Sequence, residues 1–446
     1  MTTKAKKNEL AVIILAAGRG TRMKSELPKA MHELGGRPLL CWLLETVRVL
    51  KPARVIVVSA PDMDALRTVA ADATHVIQKK ALGTGDAVKA ALPALKGFKG
   101  NVLILLGDMP LISVSTIKAL IKARHHDADT GLAVLGAYYN PAPAFGRLVE
   151  KADGTLAAII EHKDATPEQR KINLCNTGAF CIDGAQLANW VSKITSKNAQ
   201  KEFYITDLPA IAAKSGYKTQ IAVTDDLDEV QGVNSRVDLA MLEYVVQSAM
   251  RLTALESGVT MHDPASVYFT YDTQIGSDVV IEPNVFIGKG VKINDGVVIR
   301  AFSHIEGAVI KAGATIGPFA RLRPGAEIGE NSHIGNFVEV KNAKLGKGVK
   351  AGHLAYIGDA TIGEGTNYSC GAITANYDGV NKHKTTIGKN VMVGSNVNLI
   401  APVTIGDNAY LAAGSTITQD VPKDKLGIAR ARQTTLRKPV MKKKKD

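Results

Sequence analysis

Aromatic side chains are scarce in this sequence. Phe, Tyr and Trp make up 5% of 446 residues, so a core built on large rings is not expected. Cysteine is scarce too. Cys41, Cys175, Cys181 and Cys370 form no Cys-x-x-Cys pair, which argues against a disulfide framework or a zinc ribbon and fits reduced packing residues in a cytoplasmic protein. Long apolar runs are missing. Leu10–Leu15 with Ala16 and Ala17 is too short to span a bilayer and has no cleavage-site pattern after it, so neither a signal peptide nor membrane insertion is expected. Acidic residues are in deficit, 42 against 55 Lys and Arg, which leaves a net charge of +13. Most of that excess is confined to two tails: Lys4, Lys6 and Lys7 at one end, and Arg430, Arg432, Arg437, Lys438 and Lys442 to Lys445 at the other. The body between them is close to neutral, which excludes a basic domain shaped to a nucleic acid.

What is present falls into two parts with different patterns. In the first, short Val- and Ile-rich runs (Ala11–Leu15, Arg54–Ser59, Val102–Leu106) alternate with helix-like stretches such as Leu39–Leu50 and Gly85–Leu95. That order predicts an α/β domain with a largely parallel sheet, whose ligands bind at the carboxyl ends of its strands. From about Asn234 to Leu255, Val237, Met241, Tyr244, Val245, Ala249 and Leu252 recur at helical spacing, which predicts a connecting helix.

The second part is a repeat. Ile275, Ile281, Ile287, Ile293, Ile299 and Ile305 recur every six residues. The register resumes at Ile310, Ile316, Leu322, Ile328, Ile334 and Val340, and again at Ile387, Val393, Leu399, Ile405, Leu411 and Ile417. A helix face cannot have this period. Short strands with one inward anchor each can, as in a parallel β-helix of hexapeptide repeats with a narrow Ile/Val interior and glycine at its corners. The polar stretch Thr374–Lys384 is not expected to fill anchor positions and should project as a loop. The expected division is 1–233 for the α/β domain, 234–256 for the linker helix and 257–446 for the β-helix with its basic tail.

Candidate chemistry begins after the first strand. Gly18 and Gly20 let the backbone approach a polyphosphate, with Arg22 and Lys29 adding positive charge. The pattern is neither a P-loop nor a dinucleotide fingerprint, because Met23 stands where both require a small residue. A tight turn with exposed cations is the competing reading. Asp108, after the third strand, suits a hard cation such as Mg²⁺, or a turn. Asn234 by itself reads as a helix cap. His353, two residues past an anchor-like position, should face outward; most such histidines are simply solvated.

The run Leu15-Ala16-Ala17-Gly18-Arg19-Gly20-Thr21-Arg22-Met23 with Leu27-Pro28-Lys29 resembles the sugar-1-phosphate nucleotidyltransferases. Gln78 to Gly85, Gly107-Asp108, Phe145-Gly146-Arg147, Glu161 to Asp164, Cys175 to Gly178 and Gly232-Val233-Asn234 follow in the order of one family in that group. With the hexapeptide half, the chain resembles the bifunctional N-acetylglucosamine-1-phosphate uridyltransferase/glucosamine-1-phosphate N-acetyltransferase family. The resemblance implies a Rossmann-like nucleotidyltransferase domain and a left-handed β-helix. It also implies a homotrimer whose substrates are UTP, N-acetylglucosamine-1-phosphate, glucosamine-1-phosphate and acetyl-CoA, with Mg²⁺ as cofactor. Leu15, Ala16, Ala17, Gly18, Arg22 and Lys29 would hold nucleotide phosphates. Gln78, Gly83 and Thr84 would hold uracil, and Gly146, Glu161 and Asn176 the amino sugar. Asp108 and Asn234 would hold the metal, Asn234 also lying at the nucleotide-sugar site.

In the second half the resemblance makes His353 the general base. Arg323 and Lys341 would hold the sugar phosphate, and Tyr356 and Asn367 the sugar. Cys370, Asn376, Tyr377, Ser395, Ala413 and Arg430 would contact acetyl-CoA. Leu106 departs from the pattern where relatives can carry Tyr, and Cys370 where they carry Ala. Two other readings remain at this point: a nucleotidyltransferase with a non-catalytic assembly β-helix, and a trimeric scaffold with a basic tail.

Overall fold

The structure is a computed structural model and describes residues 9–438. The terminal lysine clusters at 4–7 and 442–445 lie outside the described residues. The chain divides into two compact units between Val246 and Gln247, within the helix Arg236–Glu256.

The first unit is built on a nine-stranded sheet. From one edge the order is Lys218–Thr224, Thr130–Tyr138, Leu174–Asp183, Asn101–Leu106, Leu10–Leu15, Arg54–Ser59 and Thr74–Ile77; Arg147–Glu150 and Leu156–Ile160 branch off as a hairpin. Every pairing along the main path is parallel except the two made by Leu174–Asp183. Leu10–Leu15 lies between two parallel neighbours and is covered on both faces: Ala11 and Ile13 pack into one core, Val12 and Ile14 into the other. That double burial is why the strand reads as an unbroken apolar run. Leu15 pairs with Leu106 and Val58, so the loops after these strands share one end of the sheet.

The second unit consists of parallel sheets of ten, eight and eight short strands. Each coil contributes one strand to each sheet, the architecture of a hexapeptide β-helix. The anchors stack on one another, with Ile281, Ile299, Ile316, Ile334, Ala351, Tyr368, Val393 and Leu411 forming one buried column. Where five residues separate anchors, as between Ile305 and Ile310, a corner is shortened and the ladder continues unbroken.

Three features differ from the sequence expectation. Thr374 does fill an anchor position. It is buried, and its hydroxyl donates to the Gly358 carbonyl (3.0 Å) and accepts from the Gly358 amide (2.8 Å), so a polar group is tolerated because it is fully paired; Ile373 faces outward instead. The projecting loop therefore begins at Asn376.

The apolar residues of the linker helix form the second difference. Val237, Met241, Tyr244 and Leu252 are exposed, while Leu242, Val246, Gln247, Arg251 and Ala254 are buried. Gln247 exchanges hydrogen bonds with the backbone of Phe269, and Arg251 donates to the Val267 carbonyl, so polar side chains satisfy the end of the β-helix.

The third concerns the corners. The residue three past the anchor in the column above has positive φ, and at several coils it is not glycine: φ is 60° at Phe302, 56° at Phe319, 57° at Phe337 and 44° at Leu354. Bulky residues rarely adopt this conformation. The three rings stack at 4.9 and 5.3 Å and stay about half exposed.

Replacing Ile316 by Ala should destabilise the β-helix by about 2–5 kcal/mol, the usual cost of a cavity in a packed column. Denaturant unfolding followed on the β-helix transition checks this, and the first unit's transition should not move.

Candidate active sites

In the first unit the strand-end loops enclose a cavity of about 340 Å³. Its lining includes Leu15, Ala16, Ala17, Gly18, Lys29, Gln78, Gly83, Thr84 and Asp108. A Cβ on Gly18 would meet nothing within 4 Å, so this glycine leaves room for a ligand rather than for protein. Gly83 has φ +109°, and a Cβ there would come within 2.5 Å of the Phe203 carbonyl. The Leu82–Gly85 turn is pressed against 202–205, where Thr84 Oγ1 accepts from the Ile205 amide (3.1 Å). Gln78 is buried, and its Nε2 donates to the Gly83 carbonyl (3.0 Å) and to Asp86 (2.9 Å). With both amide hydrogens used, Oε1 remains as an acceptor suited to the N–H of a base.

Asp108 follows the strand Asn101–Leu106, and its carbonyl accepts from the Val233 amide (2.9 Å), tying the 232–234 loop to this turn. Asn234 is not the helix cap. Ser235 caps the helix, with Asp238 reaching back to the amides of Ser235 (2.8 Å) and Asn234 (2.9 Å) and Ser235 Oγ accepting from the Asp238 amide (3.2 Å). The Asn234 side chain is thereby free to face Asp108. Lys29 Nζ donates to both Asp108 Oδ2 and Asn234 Oδ1. Two hard oxygens converge on one point, which fits Mg²⁺ completed by phosphate oxygens and water. Among the described residues no cluster of three or more His, Cys, Asp or Glu could hold a metal by itself.

Gly146, Glu161 and Asn176 come together: a Cβ on Gly146 would lie 3.6 Å from both Glu161 Oε1 and Asn176 Cβ, and the Asn176 amide donates to the Gly146 carbonyl (2.8 Å). Glu161 accepts from Thr206 Oγ1 (3.0 Å), while burial, with Asp164, Asp207 and Glu202 nearby, raises its carboxyl above the ordinary range. Arg22 is exposed on the adjoining turn and does not line the cavity. Leu106 lines it, lying across Gly178. Asp86 and Thr206, which orient Gln78 and Glu161, carry no signal in the sequence, because each is recognised only by what it touches.

In the second unit, His353, Cys370, Ser395 and Ala413 each lie two residues past an anchor of the same sheet, on successive coils. Backbone hydrogen bonds link these coils: Gly371 to the Leu354 carbonyl, Asn396 to that of Cys370 and Gly414 to that of Ser395. Arg430 Nη1 donates to the Ala413 carbonyl (2.7 Å), so most of the expected acetyl-CoA contacts form one column that leads to His353. One coil before it, Asn336 pairs in register with His353, and His353 Nδ1 meets Asn336 Oδ1 at 2.7 Å. An amide oxygen there accepts Nδ1–H, the contact that in a neutral ring places the lone pair on Nε2. The sequence reading missed Asn336, although its position, 17 residues before His353, follows from the repeat.

Arg323, Lys341 and Tyr356 lie on a different sheet from His353. Arg323 pairs with Glu339 (2.7 Å), and the Tyr356 ring leans over Gly358. The ammonium of Lys382, from the projecting loop, lies against Lys341 and, with Arg323, holds Lys341 below the ordinary lysine range. Asp359 opposes this at Lys341, as Glu339 does at Arg323, and Lys382 is a neighbouring cation the sequence reading missed. Asn367 belongs to the His353 sheet rather than this one, with Nδ2 facing Met392 Sδ and Ser369 Oγ. Asn376 is buried against Asp359, and Tyr377 is exposed on the loop. The chain by itself therefore does not gather all the expected sugar contacts on one face.

Residues 12–165 match the model of the MobA-like NTP transferase domain. Residues 272–307, 307–342 and 384–419 match that of the bacterial transferase hexapeptide (six repeats). The chain is 48% identical to the bifunctional protein GlmU of Paramagnetospirillum magneticum, covering 96% of this chain and 95% of the relative. It is 47% identical to that of Zymomonas mobilis, covering 95% of each. It is 43% identical to that of Geotalea uraniireducens, covering 96% and 97%. With both halves matched and identity running along nearly its whole length, the chain belongs to the bifunctional GlmU family.

Proposed function

We propose that the chain makes UDP-N-acetylglucosamine in two steps, acetylating glucosamine-1-phosphate with acetyl-CoA and then transferring UMP from UTP to the N-acetylated product. The observation that carries the reading beyond a nucleotidyltransferase on a passive scaffold is the His353–Asn336 pair at the head of a column of acetyl-CoA candidates. His353 Nε2 takes the proton from the attacking amine as nitrogen bonds to the thioester carbonyl. CoA leaves when the tetrahedral oxyanion collapses. A backbone N–H in the column is the right donor for that oxyanion, and Cys370 serves there as well as alanine. Arg323, Lys341 and Lys382 hold the sugar phosphate.

In the first unit, a phosphate oxygen of N-acetylglucosamine-1-phosphate attacks the α-phosphorus of UTP and pyrophosphate leaves. The amides of 15–18 and Lys29 counter the phosphate charge, with Arg22 at the margin. Gln78, Gly83 and Thr84 hold uracil, while Gly146, Glu161 and Asn176 orient the sugar. Asp108 and Asn234 would hold Mg²⁺, which when bound would supply electrostatic stabilisation of the phosphate charge. The domain limits follow the two chemistries, with 234–256 between them. Because UTP and acetyl-CoA are the substrates, the location is cytoplasmic; among the described residues no helix is long and apolar enough to cross a membrane.

The protein assembles as a homotrimer through the corner ladder Phe302–Phe319–Phe337–Leu354, with His353 at its end. Bulky side chains held at positive φ and half exposed make sense against a second copy. That arrangement also lets a neighbouring copy complete the sugar contacts that one face lacks.

Asp108→Ala should abolish pyrophosphate release and leave CoA release intact; His353→Ala should do the reverse. Full acetyl transfer by His353→Ala would remove the base assignment, and a wild type that does not acetylate glucosamine-1-phosphate would leave only the nucleotidyltransferase. Phe319→Asp should lower the mass measured by light scattering from three chains to one and remove acetyl transfer but not uridylyl transfer. Because the Lys341 pKa is lowered, its charge is lost on the alkaline side earlier than for an ordinary lysine, so KM for glucosamine-1-phosphate should rise early with pH. Lys382→Ala should raise KM about tenfold or more at neutral pH and move the alkaline rise to higher pH, read from KM–pH profiles.

A further inference from the structure

The two oxygens read as metal ligands are both in use. Lys29 Nζ donates to Asp108 Oδ2 and to Asn234 Oδ1, the latter at 3.2 Å. The ion pair is largely shielded, with 16% of the Lys29 side chain and 13% of the Asp108 side chain exposed. The main chain that carries these oxygens is tied down without the lysine. The Val233 amide fixes the Asp108 turn to the 232–234 loop, and the Ser235–Asp238 cap fixes the start of the helix behind Asn234. Lys29, by contrast, arrives on a four-carbon stem from a short turn, Lys29–Met31, on another part of the chain. Its stem passes Gly20, where a Cβ would lie 2.8 Å from Lys29 Cβ. The two residues that carry the oxygens are thus anchored through their main chain, and the ammonium reaches them on a separate, flexible stem.

Resting on the reading of Asp108 and Asn234 as metal ligands, we infer that Lys29 and the divalent cation exchange on this oxygen pair. The ammonium neutralises Asp108 until metal and nucleotide arrive together, and it then transfers to the phosphates. A shielded carboxylate requires a cation, and one positive charge excludes a second from the same lone pairs. Metal entering alone must evict Lys29 from its partner with no substitute to offer. Metal entering with a triphosphate brings new oxygens for the lysine. The consequence is weak metal binding by the free enzyme and mutual reinforcement between metal and nucleotide.

The test is direct titration of Mn²⁺ against the full-length protein without nucleotide, free Mn²⁺ being read by electron paramagnetic resonance. Lys29→Met should bind Mn²⁺ about tenfold or more tightly than wild type, the order expected on removing one competing charge from a shielded site. Adding Asp108→Asn to Lys29→Met should abolish the gain. Lys29→Gln serves as a second removal of the charge, and each variant is compared with wild type by thermal melting in EDTA. Affinity in both Lys29 variants equal to or weaker than wild type, with Asp108→Asn still abolishing binding, overturns the exchange and leaves the metal ligands standing. A tight site in Lys29→Met that survives Asp108→Asn overturns the ligand assignment and the exchange with it.

Discussion

The parallel register between successive coils is the constraint on which the acetyltransferase half depends. Each strand donates its main-chain hydrogen bonds to the next coil, so a side chain acquires as neighbours the residues one coil away, whatever their distance in sequence. Inward, the rule stacks Ile on Ile and makes the buried column. Outward, the same rule builds sites: Asn336, His353, Cys370, Ser395 and Ala413 form a line because each occupies the same place in its coil. The shortened corners matter for the same reason. A five-residue step changes the spacing in sequence and leaves the ladder, and therefore the column, intact.

The nucleotidyltransferase half uses a different device. Strands buried on both faces offer no place for chemistry, so polar groups collect at the turns after them, where the 340 Å³ cavity opens. Charge there is balanced locally. Lys29 meets Asp108, and Glu161 sits in a setting that disfavours its ionised form. Both arrangements are poised for a ligand carrying opposite charge or hydroxyl donors, and both are held by second residues, Asn234 with its capped helix and Thr206.

The sequence was most legible where one residue type answers to one physical demand. Six-residue spacing of Ile marks the interior, and the glycines of 18–20 with Lys29 mark a phosphate approach, whereas the helix cap was read at Asn234 and lies at Ser235. It was least legible where the partner decides. Thr374 reads as a surface residue until Gly358 is seen to pair with both sides of its hydroxyl. Val237, Met241 and Tyr244 have the spacing of a buried stripe yet lie exposed, while the polar Gln247 and Arg251 are buried and bonded to the main chain of Phe269 and Val267. Phe302, Phe319 and Phe337 replace the glycine expected at a corner, and what they gain is contact with one another. Asp86, Thr206 and Lys382 were missed for the same reason, since neighbours brought in by loop return leave no local trace, whereas Asn336 could have been found one repeat before His353.

The central claim is that one chain carries two complementary activities that share an intermediate. The most direct measurement supplies a single purified protein with glucosamine-1-phosphate, acetyl-CoA, UTP and Mg²⁺, and follows CoA, pyrophosphate and UDP-N-acetylglucosamine together by mass spectrometry. The account predicts that all three accumulate at equal rates once the N-acetylated sugar phosphate reaches its steady level, and that omitting acetyl-CoA stops all of them. Pyrophosphate formed without acetyl-CoA at an undiminished rate, or CoA released with no nucleotide sugar following it, would contradict the account.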